Sequence, residues 1–249
     1  MRKRKFKGNG NDNNGYKENN GYKEGHKTGK EGLIGLKLKK KTSLSARTEN
    51  QKKIFESIKN NVVTIASGTA GSGKSLIAVV SALDGLLKGT YGKIIFSRPC
   101  IEAEGENLGF LPGDFNEKIY PYMMPIFNFL NNYLEKDQID DLIKNEMIVT
   151  LPLAYHRGWT FENAFVVLDE SQNTTPKQMR MFLTRIGENC KVVITGDPHQ
   201  SDISGVNGLN DALIRLAGVH GIGVINLTEE DVFRHPIVVA IEKKYLINE

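Results

Sequence analysis

An α/β fold, with a mostly parallel sheet covered by helices on both faces, is predicted by three features of the chain. Short apolar runs bounded by turn signals recur along it, helical patterns lie between most of them, and the first run enters a glycine-rich loop that leads straight into a helix. Sheets of this kind are buried on both sides, so their strands read as continuous Val/Ile/Leu/Phe runs and not as alternating ones.

The elements follow in order. Thr48-Glu49-Asn50-Gln51 opens an amphipathic stretch through Ile54, Phe55 and Ile58, with Asn60-Asn61 ending it. Val62 to Ala66 reads as the first buried strand. Leu76 to Leu83, then Leu86-Leu87, is apolar nearly all round, as suits a helix packed on a sheet, and Gly89 supplies a stop. Further strands are predicted at Lys93–Ser97, Met147–Thr150, Ala164–Leu168, Lys191–Thr195 and Ile222–Leu227, with helices at Pro176–Ile186 and Gly208–Leu216. Residues 114 to 145 form the least regular part, a helical insertion carrying Tyr120, Met123, Met124, Ile126, Phe127, Phe129 and Leu130. A Met/aromatic stripe at helical spacing is read as core.

Composition divides the chain. Hydrophobic residues make up 39% of the 249, enough for a real core. Residues 1 to 41, however, hold thirteen Lys/Arg against four Asp/Glu, while the remaining 208 carry 20 basic against 25 acidic side chains. That segment also repeats Asn-Asn-Gly-Tyr-Lys-Glu at 13–18 and 19–24. It has too little apolar surface to offset its ordering entropy, so residues 1–45 are expected to form a disordered basic tail and 46–249 the folded domain. The tail is either a solubilising extension or an electrostatic arm for nucleic-acid phosphates, with Tyr16 and Tyr22 available to stack on bases. Cys100 and Cys190 lack metal or disulfide spacing, and no run reaches the length of a membrane span, so a soluble cytoplasmic protein is expected.

Chemistry concentrates in short motifs. Gly68-Thr69-Ala70-Gly71-Ser72-Gly73-Lys74-Ser75 is a complete G-x-x-x-x-G-K-[ST] loop, placed between strand and helix. Its glycines let successive N–H groups face phosphate oxygens, Lys74 brings a cation to the β/γ-phosphates, and Ser75 can ligate Mg²⁺. ATP and Mg²⁺ are therefore the expected ligands. Ala164–Leu168 ends in Asp169-Glu170, at the strand edge where such sheets bind ligands. Asp169 is expected to hold Mg²⁺ and Glu170 to polarise the attacking water. A second polar turn, Gly196-Asp197-Pro198-His199-Gln200, resembles the Gly-Asp-x-x-Gln of superfamily 1 nucleic-acid translocases, which implies that Gln200 senses the γ-phosphate.

Other residues have two readings. Gln51, 23 positions before Lys74, either meets the adenine edge or closes a capping box with Thr48. Arg98 and Arg157 either reach phosphate or RNA or are ordinary surface arginines. His156, His199 and His235 have no metal spacing and are read as structural.

The segments Arg98-Pro99, Glu102 to Gly113, Leu153-Ala154-Tyr155-His156-Arg157-Gly158, Leu168 to Thr175 and Phe182 to Gly187 resemble the PhoH-like family of ATPases, in order, over about residues 48 to 240. The resemblance implies a single RecA-like core related to superfamily 1 helicases, ATP hydrolysis, and a link to RNA or other single-stranded nucleic acid. Glu104 extends the Glu-Ala-Gly-Glu pattern by one residue, so that loop's contacts do not carry over. A fused PIN-type nuclease is not expected in a tail this short. Leu227 to Pro236 resembles the arginine motif that superfamily 1 enzymes supply from a second domain, which singles out Arg234. It acts either as a finger in trans within a homo-oligomer such as a hexameric ring, or by pairing with Glu230 or Asp231 of its own chain. Competing functions are a P-loop small-molecule kinase and a nucleotide-gated RNA-binding module with little turnover.

Overall fold

The structure, a computed structural model, describes residues 43–99 and 115–245. Residues 1–42 of the expected tail, Cys100 and the Glu104 loop lie outside the described residues, while Leu44, within the expected tail, packs against the core.

Local signals account for most boundaries. Helix α1 (Glu49–Asn60) starts at Thr48, whose hydroxyl accepts the Gln51 N–H, and buries Ile54 and Ile58 one turn apart. Strand β1 (Val63–Gly68) starts one residue later and ends two residues later than its apolar run suggests. Val62 stays 47% exposed outside the strand, although its backbone already bonds to Gly221 and Val192. Helix α2 (Lys74–Leu87) follows the phosphate loop, and β2 (Lys93–Ser97) follows α2. Helix α3 (Phe115–Asn131) contains Pro121 and Pro125, and α4 (Lys136–Lys144) follows it closely. After β3 (Ile148–Thr150) and β4 (Ala164–Leu168), α5 (Pro176–Leu183) opens with a complete Thr175/Gln178 capping box and proline in its first turn. Helix α5 ends before Ile186, which instead makes a bridge to Phe161. Strand β5 (Cys190–Gly196), helix α6 (Gly208–Leu216), strand β6 (Ile222–Leu227) and helix α7 (Pro236–Tyr245) complete the chain.

The six strands form one sheet in the order β3-β2-β4-β5-β1-β6, and every neighbouring pair is parallel. Strand β5 sits between β1 and β4, the RecA-like arrangement. Period-2 geometry sends alternate residues to opposite faces. Ile94, Phe96, Phe165, Val167 and Val193 join Ile54, Leu83, Ile126 and Leu130 under α1–α4. Ile95, Val166, Leu168, Val192 and Ile194 join Met179, Phe182, Leu209 and Ala212 under α5 and α6. Truncating a fully buried ring such as Phe182 to Ala costs about 3–5 kcal/mol.

Parallel pairing also sets the site. Ser67 is level with Gly196, Leu168 with Ile194, and Ser97 with Leu168, so the carboxyl ends of β1, β5, β4 and β2 share one edge.

Candidate active site at the carboxyl edge of the sheet

The loop between β1 and α2 is held from inside. Gly68 has φ +136° and packs so closely on Leu227 that a Cβ would run into that residue's carbonyl oxygen. The Ser72 hydroxyl donates to the Thr69 carbonyl at 2.7 Å, and Lys74 Nζ donates to the carbonyls of Gly68 (2.5 Å) and Thr69 (2.8 Å). Lys74 is 6% exposed. Burial pushes its ammonium below the usual lysine range, against the pull of the Asp197, Asp169 and Glu170 carboxylates. The Ala70 N–H donates to Asp197 Oδ2 at 3.0 Å, tying the loop to the turn after β5.

Asp169 and Glu170 sit on the opposite side of the edge. Asp169 is 2% exposed, and its Oδ1 accepts from Ser75 Oγ and from Thr195 Oγ1, each at 2.6 Å. A hydroxyl and a carboxylate side by side fit Mg²⁺, which takes one or two protein oxygens and draws the rest from phosphate and water. Glu170 has φ +54°, uncommon for a residue with a side chain. Its Oε1 accepts from Arg98 Nη2 at 2.9 Å and its Oε2 from Gln172 Nε2 at 2.6 Å. Gln172 Oε1 in turn accepts the Asp197 N–H at 3.0 Å, so a chain of bonds runs Glu170–Gln172–Asp197–Ala70 into the phosphate loop.

Beneath this pair lies a buried histidine. His156 Nε2 is 2.9 Å from Ser97 Oγ, and the Ser97 carbonyl accepts the Asp169 N–H at 2.9 Å. Burial pulls the His156 pKa down to about 4, so the ring is neutral at neutral pH.

The remaining residues singled out by the sequence divide. Gln51 is buried, and Thr48 alone caps α1. The Gln51 amide accepts from the Arg47 N–H at 2.8 Å and donates to the Ser72 carbonyl at 3.0 Å, which fastens α1 to the phosphate loop. Neither bond is the capping-box return to Thr48. Gln200 donates its N–H to the Asp197 carbonyl at 3.1 Å and is exposed on that turn. Arg157 is exposed. Arg234 lies against its own phosphate loop: Phe233 N–H donates to the Gly71 carbonyl at 3.2 Å, and a Cβ on Gly71 would strike the Arg234 side chain. Asp231 is occupied elsewhere. It accepts from Thr48 Oγ1 (2.5 Å), Asn50 Nδ2 (2.9 Å) and the Thr228 N–H (2.8 Å). Burial raises the Asp231 pKa, but these hydrogen bonds outweigh it and hold the carboxyl below its ordinary range.

Sequence reasoning gave Gln172 and Thr195 no part in this framework, offered Asp231 only as a partner for Arg234, and assigned Arg98 only to phosphate, RNA or the surface. Their bonding partners are set by the fold: strand order brings Arg98 and Thr195 to the carboxylates, and the start of α1 supplies Thr48 and Asn50 to Asp231.

A family model described as "PhoH-like protein" matches residues 43–246. A PhoH-like protein of Bacillus subtilis strain 168 is 45% identical over 205 residues, which are 82% of this chain and 64% of that protein. A PhoH-like protein of Synechocystis sp. strain PCC 6803 is 42% identical over 80% of this chain and 61% of its own length. Protein PhoH of Escherichia coli K12 is 41% identical over 76% and 54%. The chain thus spans about 54–64% of the length of these relatives. Among solved structures, Pif1 helicase from Candida albicans is similar with a TM-score of 0.39 and 15% identity over 76% of this chain and 41% of that one.

Proposed function

The chain belongs to the PhoH-like protein family, a family of P-loop NTPases, and from that premise we propose that it is a Mg²⁺-dependent ATPase coupled to single-stranded nucleic acid, RNA foremost. The observation that carries the reading is the placing of Ser75, Asp169 and Glu170 together, with Lys74 one residue before Ser75 at the head of α2. A bare phosphate-binding site needs the loop alone. An oriented carboxylate next to the metal-ligating pair is what hydrolysis adds.

The chemistry is in-line attack of water on the γ-phosphate. The loop amides and Lys74 stabilise charge on the phosphates, and Ser75 with Asp169 would hold Mg²⁺. When bound, that ion supplies neutralisation of the phosphate oxygens. Glu170 takes the proton of the attacking water, and Gln200 reports the γ-phosphate from the turn after β5. Arg234 adds a second cation over the loop of its own subunit, the reading its position against Gly71 supports. The basic tail supplies counterion-releasing contacts to nucleic-acid phosphates.

The test is Glu170→Gln. The amide keeps the shape but cannot accept the proton, so turnover should fall by about 10²–10⁴-fold with ATP affinity retained. Near-normal phosphate release from that variant removes Glu170 from the mechanism. Turnover that requires an added small-molecule acceptor identifies a kinase, and tight ATP binding without phosphate release identifies a nucleotide-gated binding module.

A further inference from the structure

We infer that Arg98 is the positioning residue for the general base: it fixes the direction of Glu170 and ties it to helix α3. The inference rests on the ATPase reading above. Its own evidence is geometric.

The guanidinium of Arg98 emerges at the end of β2, next to the end of β4, and reaches three oxygens on two structural elements. Nη1 donates to the Tyr122 carbonyl on α3 at 2.8 Å. Nη2 meets Glu170 Oε1 at 2.9 Å and Asp169 Oδ2 at 3.2 Å. The Arg98 side chain is only 13% exposed, which separates this pair from a solvent-screened surface bridge. Its Nε finds no acceptor among the described residues.

Glu170 needs such a guide. Its side chain is 45% exposed, and it stems from a backbone in the left-handed region, so packing alone does not define where the carboxylate points. Two donors do. Gln172 fixes Oε2 from the phosphate-loop side, and Arg98 fixes Oε1 from the α3 side. A base oriented by a third group is the usual logic of an activated water or nucleophile, and a displacement of about 1 Å at the reacting atoms is worth about 10² in rate. Arginine suits the task because its planar fork spans separate acceptors at once, whereas a lysine ammonium is a single point. The same fork makes the seating of α3 part of the site, although α3 holds none of the motifs.

The experiment measures ATP turnover and the affinity for a fluorescent ATP analogue in wild type, Arg98→Lys and Arg98→Ala, with guanidinium ion added at concentrations far below those that unfold proteins. A solvent-open cleft of about 250 Å³, lined by Arg98, Tyr122, Glu170, Asn173 and Asp202 among others, gives the ion access. Arg98→Ala should lose about 10²-fold and Arg98→Lys about 10-fold in kcat, with nucleotide affinity within about twofold of wild type. Guanidinium should restore about tenfold to Arg98→Ala and nothing to Glu170→Gln, which has no carboxylate to orient. Three results overturn the inference while leaving the ATPase standing: turnover near wild type in both variants, a loss confined to nucleotide affinity, or a kcat loss that guanidinium does not relieve. A wild-type chain with no turnover removes both proposals together.

Discussion

The two sides of the crevice are built differently. The phosphate loop is contiguous in sequence, and its Ser72 and Lys74 side chains bond back onto its own carbonyls: Ser72 to Thr69, and Lys74 to Gly68 and Thr69. The carboxylate side gathers Arg98 from just beyond β2, Asp169 and Glu170 from just beyond β4, Gln172 from the turn that follows, Thr195 from β5 and Asp197 from just beyond it. The difference separates two ways of making a site. A loop that works through backbone amides can be specified by eight neighbouring residues, because glycine φ angles and a helix start are local properties. A carboxylate pair works through side-chain direction, and direction depends on which strands lie alongside.

The sharpest way to break the comparison is at the loop. Lys74→Ala should cost about 10³-fold in kcat/KM, because its charge acts on bound substrate and transition state alike. Loss of nucleotide binding in a titration should accompany loss of turnover. If only turnover falls, the loop binds through its amides alone, and the two sides are less distinct than the bonding suggests.

The carboxylate side should show itself in acid. His156 is held neutral with a pKa of about 4, against an ordinary value of 6.5, so the unfolded chain binds more protons between these values. The stability this contributes is complete above pH 6.5 and is lost as pH falls toward 4, by about 3 kcal/mol in all. Denaturant unfolding across that range should give a steeper decline in wild type than in His156→Gln, which keeps a hydrogen-bonding group near Ser97 without the titration. Equal slopes would take His156 out of the acid response.

A smaller effect is expected from deleting residues 1 to 41. Basal ATPase activity should persist, while nucleic-acid affinity falls by about tenfold or more and its salt dependence flattens, since the slope follows the number of phosphates neutralised. An unchanged slope makes the segment a passive extension.

The least change is expected from mixing Arg234→Ala subunits with Lys74→Ala subunits. With Arg234 lying on its own Gly71, neither kind of subunit carries both groups, so activity should not recover. Partial recovery on subunit exchange would show a finger acting in trans and would extend the crevice across a subunit boundary.

Much of the architecture was legible beforehand, for a simple reason. Strands buried on both faces must be apolar throughout, and helices between them carry caps and stops, so β2, β4, β5 and β6 stand out as Val/Ile/Leu/Phe runs between turn residues. Boundaries set by partners were less legible. Val62 is as apolar as Val63 yet lies outside β1, and Ile186 continues the pattern of α5 yet bridges to Phe161. In the site, the loop, Ser75, Asp169 and Glu170 were each named by spacing to a strand or helix end. Gln51 does not close the capping box with Thr48; its amide joins the Arg47 N–H to the Ser72 carbonyl instead.

By itself the sequence determined the properties that depend on neighbours along the chain: the parallel α/β class, the phosphate loop, and the acidic pair at the end of β4. The tertiary structure alone decided that β5 lies between β1 and β4, and hence that Thr195 and Asp197 meet Asp169, Gln172 and Ala70. It alone set Arg98 between α3 and the two carboxylates and laid Arg234 over Gly71. The physical reason is range. Backbone conformation and hydrophobic period are fixed within a few residues, but a hydrogen bond between side chains about 70 positions apart exists only once the sheet has fixed the strand order.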